Sequence, residues 1–182
     1  MQFEVDIIVG LQSVASDGLT TFFQLVSLLG SYLGFVLLLI CFLVLNRRLA
    51  LTFSISFLGG VGFNYILKTL IARPRPYVAH PEILNLTQTV GHAMPSSHAL
   101  CCVIIGVFIC YAVFKYSKNW AWRTLAIVGS SVLIVLTCLS RLYLGMHYLT
   151  DILVGIAIAS IICSIAILYL ERKKHVHIEK SN

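Results

Sequence analysis

Five apolar stretches dominate this chain, roughly Leu19–Leu45, Leu49–Ile71, Ala99–Phe114, Trp122–Leu139 and Tyr148–Leu170. A helix needs about 20 apolar residues to cross the hydrocarbon core of a bilayer, so each stretch predicts a spanning helix. The third is short, but Ser97 and His98 at one end and Tyr111–Tyr116 at the other extend it. With 59% hydrophobic and 11% charged residues, the composition exceeds what a soluble domain of 182 residues needs. The expected fold class is all-α: a polytopic transmembrane bundle of about five spanning helices plus an N-terminal interfacial helix. Glycines within the spans (Gly30, Gly34, Gly59, Gly60, Gly62, Gly106, Gly129, Gly155) suit close helix packing in lipid.

The first eighteen residues mix apolar positions with Glu4, Asp6, Gln12 and Asp17. They have no basic leader and no small-residue cleavage site, so they do not read as a cleavable signal peptide. Ile7, Ile8, Leu11 and Val14 fit one face of an amphipathic helix lying in the interface, although position 4 of that face is Glu. A net charge of +6 raises the question of nucleic acid, but the basic residues form no continuous run. They gather instead between spans one and two (Arg47, Arg48), between three and four (Lys115, Lys118, Arg123), and after span five (Arg172, Lys173, Lys174, Lys180). With five spans these segments share one side, which the positive-inside rule makes cytoplasmic. No nucleic-acid partner is expected. The six cysteines sit in apolar runs without metal-binding spacing, so neither a disulfide framework nor a zinc site is expected.

Against this background three polar clusters stand out: Lys68-x6-Arg75-Pro76, Pro95-Ser96-Ser97-His98, and Ser140-Arg141-x5-His147-x3-Asp151. All three fall on the side opposite the basic segments, one at each end of the long connection 72–95 and one in the short connection after span four. Ionisable residues near membrane depth are costly and usually mark function. His147 and Asp151, four apart, share a helix face, where a carboxylate can fix the imidazole tautomer. Ser96 or Ser97 can cap the following helix, whose first amides and dipole then form an anion site with His98 at its mouth. The arginine fork suits phosphoryl oxygens. Taken singly, each feature also has an ordinary explanation. The pair can order a helix end, the serine can simply cap, and Lys68, Arg75 and Arg141 can snorkel to headgroups.

Together and in this order, the three motifs resemble the type 2 phosphatidic acid phosphatase superfamily, which also includes glucose-6-phosphatase and the vanadium haloperoxidases. One position departs: the family usually has glycine where this chain has Ser97. The resemblance implies that His147 is the nucleophile of a phosphohistidine intermediate and that Asp151 orients it. It implies that His98 protonates the leaving oxygen and then activates water. Lys68, Arg75, Ser96, Arg141 and the backbone amides of Ser97 and His98 would hold the phosphoryl group, with no metal and no cofactor.

The reading that follows is an integral-membrane phosphatase in the lipid bilayer, its site on the outer face and its C-terminus cytoplasmic. Its substrate would be a lipid phosphate such as phosphatidylglycerophosphate, phosphatidic acid or undecaprenyl diphosphate. A lipid phosphotransferase would share the same first step, and a phosphate or anion transporter is the non-enzymatic alternative. Neither internal repeats nor broken mid-membrane helices of a transporter are visible. Substrate choice, oligomeric state and the conformation of the 72–95 loop do not follow from the residues. Arg73 reads as a headgroup contact or a solvated loop arginine. His80 and His92 read as loop residues, Tyr143 and Tyr148 as interfacial aromatics, and His175 and His177 as a solvated tail pair.

Overall fold

The computed structural model describes residues 2–87 and 89–179, with side chains as far as residue 172. Lys180 of the expected basic tail therefore lies outside the described residues, as do the side chains of Lys173, Lys174, His175 and His177. Eight helices follow in chain order: α1 (Gln2–Gln12), α2 (Asp17–Leu29), α3 (Tyr32–Leu45), α4 (Arg47–Ile71), α5 (Pro76–Ala79), α6 (Ser97–Tyr116), α7 (Trp120–Tyr143) and α8 (Leu149–Glu179). Among the described residues there is no strand, and the fold is all-α. Five segments are long and apolar enough to cross a membrane: Asp17–Leu45, Arg47–Ala79, Ser97–Tyr116, Trp120–Tyr143 and Leu149–Arg172.

The helix starts follow from local chemistry. Ser16, Asn46, Ser96 and Asn119 cap α2, α4, α6 and α7, each accepting a first-turn amide with its side-chain oxygen. Pro76 opens α5 at a position where its missing N–H costs nothing. The central helix is α6, packed against α4, α7 and α8. Its apolar residues face all directions because it is enclosed on all sides: Leu100, Ile104, Ile105 and Phe108 are buried in one cluster with Phe53 and Phe57 of α4. The outside of the bundle is apolar as well. Val44, Leu70 and Ile165 are 84%, 75% and 64% exposed, the inversion of a water-soluble surface that lipid requires.

The first span is broken, which its uninterrupted hydropathy does not reveal. At Gly30 an added Cβ would lie 2.4 Å from Thr137 Oγ1, so the end of α2 sits flush against α7. Beyond the break α3 leaves α7 and packs on α4. The break thus lets one apolar stretch serve two neighbours, and it brings Ser27 of α2 within 2.9 Å of Ser140.

Before the first span, α1 lies across the end of the bundle. Val5 and Ile8 are buried against Ile83, Ala99, Leu142, Tyr148 and Ile152, while Phe3 is exposed. Its last residue, Gln12, clamps the long loop. Gln12 Nε2 donates to the carbonyls of Leu84 and Tyr143 at 2.9 Å, and Oε1 accepts the Leu84 N–H at 2.8 Å.

Candidate active site

The three clusters meet where α4 and α7 end and α6 and α8 begin. Ser96, fully buried, caps α6: its Oγ accepts the Ala99 N–H at 3.4 Å. Its own N–H donates to the Asp151 carbonyl at 3.0 Å, which ties the second cluster to the third. Gly155 of α8 permits that approach, since a Cβ there would lie 2.6 Å from the Ser96 carbonyl oxygen. The amides of Ser97 and His98 open the first turn of α6 and have no acceptor within the helix, so with the helix dipole they form an anion site.

Ser97 has a partner that the sequence did not suggest. Asn64 of α4, 1% exposed, donates through Nδ2 to Ser97 Oγ at 2.7 Å and to the Pro95 carbonyl at 3.4 Å. The available signal was a lone carboxamide between Leu49 and Ile71.

The cations are fixed by the chain around them. Lys68 Nζ donates to the carbonyls of His92 and Ala93 at 3.0 and 3.4 Å. Arg75, 7% exposed, donates through Nε to Gly91, through Nη2 to Val90 and through Nη1 to Met146, at 3.0, 3.2 and 3.3 Å. Together they draw the far end of the 72–95 loop over the site. Arg141, 5% exposed, bonds Ser140 Oγ at 3.1 Å and also Ser27 Oγ, so α2 contributes to the site's wall. His98 lies within electrostatic reach of Arg141, His147, Lys68 and Arg75.

His147 stands in the turn between α7 and α8, 3% exposed. Gly145, at φ +71°, makes that turn, and a Cβ there would meet the Leu84 carbonyl at 2.4 Å. The amides of Met146 and His147 both return to the Arg141 carbonyl, at 3.0 and 3.3 Å. Burial pushes the His147 ring down to about 4, Asp151 opposing and the charges on Lys68 and Arg75 assisting. The ring is neutral at neutral pH.

Asp151, fully buried, is shared more widely than its spacing suggests. His147 Nδ1 stands 3.7 Å from Oδ2, near enough for charge but too far for a hydrogen bond. Oδ2 accepts the Tyr148 N–H at 2.8 Å, the return bond of a capping box, and Oδ1 accepts Arg73 Nη1 at 2.5 Å. Arg73 is therefore neither a headgroup contact nor a solvated loop residue. It packs over the Tyr148 ring at 4.1 Å, bonds Thr150 Oγ1 at 2.7 Å and pairs with Glu4 at 3.6 Å. Tyr143 and Tyr148 are likewise not interfacial, each being 1% exposed. Tyr143 Oη lies 2.9 Å from Thr20 Oγ1 and its ring packs on Phe23, because the ends of α2 and α7 are pressed together. His92 lends only its carbonyl, and His80 pairs with Glu82 at 3.6 Å.

The arrangement thus places two cations and a second histidine about a neutral imidazole, with a third cation, Arg141, and a helix N-terminus beside that second histidine. That is the charge pattern a phosphoryl group needs, since its oxygens carry the charge of the transition state. Among the described residues no three His, Cys, Asp or Glu side chains converge as metal ligands.

The chain is similar to the undecaprenyl-diphosphatase BcrC of Bacillus subtilis strain 168, with 28% identity over 117 residues, 64% of this chain and 55% of that protein. It is similar to the mouse sphingosine-1-phosphate phosphatase 2, with 30% identity over 125 residues, 66% of this chain and 32% of that one. The chain thus spans about half or less of the length of these relatives. The fold matches the crystal structure of the transmembrane PAP2 type phosphatidylglycerolphosphate phosphatase from Bacillus subtilis with TM-score 0.79 at 19% identity, over 94% of this chain and 86% of that one. The family model of the PAP2 superfamily matches residues 49–175, a stretch that holds all three motifs, and the chain belongs to that superfamily.

Proposed function

We propose that this protein is a membrane lipid phosphate phosphatase that works through a phosphohistidine on His147. The observation that carries the reading is the convergence of Lys68, Arg75 and His98 on a neutral, buried His147, with Arg141 beside His98, at one end of a lipid-facing bundle. With Nδ1 turned toward Asp151, Nε2 is the nitrogen left to attack phosphorus. An N–P bond forms as the bond to the leaving oxygen breaks, and His98 gives that oxygen its proton. Water then attacks the phosphohistidine, His98 takes the proton back, and inorganic phosphate leaves. Lys68, Arg75, Arg141 and the amides of Ser97 and His98 hold the phosphoryl oxygens throughout, supplying the charge that a metal ion supplies elsewhere.

A lipid substrate fits the surroundings. An apolar groove of about 710 Å³ runs between α4 and α8, floored by Gly59 and Gly60 and reaching Phe63, next to Asn64. An acyl or polyprenyl chain lying there would bring its headgroup to the site from within the bilayer. Undecaprenyl diphosphate, phosphatidylglycerophosphate and phosphatidic acid are the substrates we propose, with the site on the outer face.

The test is phosphate release from these three lipids by purified protein and a His147→Ala variant. Turnover that survives EDTA, is inhibited by vanadate and falls at least a thousandfold in the variant is expected, as for loss of a nucleophile. Equal release by the variant would remove His147 from the chemistry. Phosphate binding without turnover would favour a transporter.

A further inference from the structure

Asp151 is not free to serve His147 alone, because Arg73 holds its Oδ1 at 2.5 Å. A guanidinium there draws the carboxylate's charge away from the imidazole. Arg73, however, has a second anion. Glu4 Oε2 lies 3.6 Å from Nη2, and Glu4 Oε1 accepts both the N–H and the hydroxyl of Thr150 at 2.8 Å. Since Arg73 Nη1 also reaches Thr150 Oγ1, the side chains of Arg73, Glu4 and Thr150 close a ring behind the site, to which Asp151 is joined through Arg73. Glu4 is 8% exposed and stands on the buried face of α1, beside Val5 and Ile8. A buried carboxylate on that face costs stability unless it is paired, and here it is paired to the residue that competes for Asp151.

We propose that Glu4 is a positioning residue of the active site: by sharing Arg73 with Asp151, it keeps the Asp151 carboxylate available to the imidazole of His147. The proposal rests on His147 being the nucleophile. Charged and titratable groups reach that imidazole from several elements. Lys68 and Arg75 come from α4 and the loop after it and His98 from α6, with Arg141 of α7 beside His98. Asp151 comes from α8, with Arg73 and Glu4 behind it. Asp151 and Glu4 are the carboxylates of this set, so removing either charge shifts the balance toward the cations.

The sign of the effect is fixed by that balance. The nucleophile must be unprotonated, so protonation of His147 sets the acid limb of kcat/KM against pH. Glu4→Gln removes a negative charge and leaves Arg73 wholly to Asp151. The acid limb then moves to lower pH by about half a unit, and kcat falls about two- to threefold as the imidazole loses basicity. KM changes less than about twofold, because Glu4 stands behind Arg73 and touches no substrate. Arg73→Gln moves the limb to higher pH, and the double variant returns it close to wild type. Glutamine at position 4 keeps an oxygen for the Thr150 donors, so the first turn of α8 stays capped.

The measurement is phosphate release against pH from undecaprenyl diphosphate, dioleoyl phosphatidylglycerophosphate and dioleoyl phosphatidate in detergent micelles. Wild type, the two single variants, the double variant and His147→Ala are compared, with melting temperatures confirming that each is folded. Opposite limb shifts that cancel in the double variant support the proposal. Unmoved limbs, or shifts of one sign, overturn it while an inactive His147→Ala leaves the nucleophile in place. An active His147→Ala, or a wild type that hydrolyses none of the three lipids, overturns the reading beneath it. Should Glu4→Gln not fold, the upward shift of Arg73→Gln, or its absence, decides.

Discussion

Asn64 carries a consequence for a single side chain. Its Nδ2 holds the Ser97 hydroxyl, and its Oδ1 is buried without a partner. Ser97→Gly, which restores the residue usual in the family, would therefore leave this buried amide only its long bond to the Pro95 carbonyl. A loss of about 1–2 kcal/mol is expected, the cost of removing the shorter of two hydrogen bonds from a buried donor. The same change in an Asn64→Ala background should cost less than half as much, read from melting in detergent. Equal losses in both backgrounds would mean that the pair is not coupled. The three motifs were legible because their chemistry is local: a capping serine, a histidine four residues from a carboxylate, and cations at span ends. Asn64, Arg73 and Glu4 were not, because each gains its meaning from a residue far along the chain. Arg73 looked like a loop arginine only while its two carboxylates, 69 positions before and 78 after, were out of view.

At the level of helices, α1 and the loop behave as one unit. Gln12 donates to the carbonyls of Leu84 and Tyr143 and accepts the Leu84 N–H, and Lys68 and Arg75 hold the loop's other end. Gln12→Ala should free the Leu84 amide, raising its hydrogen-exchange rate at least tenfold while amides in the middle of α6 keep theirs. Unchanged exchange at Leu84 would mean that the loop is held by its other end alone. The spans themselves were predictable because apolar length is a one-dimensional property. The break between α2 and α3 was not, since hydropathy runs straight through it. It depends on Thr137, which faces Gly30 from a different helix.

For the molecule as a whole, the proposed orientation puts residue 90 outside and the α6–α7 turn inside. Val90, 84% exposed, and the exposed Asn119 are the positions that test it. In intact cells Val90→Cys should react with a membrane-impermeant maleimide, and Asn119→Cys only after permeabilisation. The reverse pattern would invert the topology. The native cysteines lie within or beside the apolar spans and provide the background against which labelling is scored. The contact between Glu4 and Thr150 joins residues 146 positions apart, in the first helix of this sequence and the last. Chains are synthesised from the N-terminus, so the carboxylate on α1 can meet Arg73 early but gains Thr150 only after the fifth apolar segment has been made. A nascent chain halted before α8 also lacks Asp151. On the proposed function, the full set of site residues exists only once the last apolar segment has joined the others, so catalytic competence would report finished assembly of the bundle.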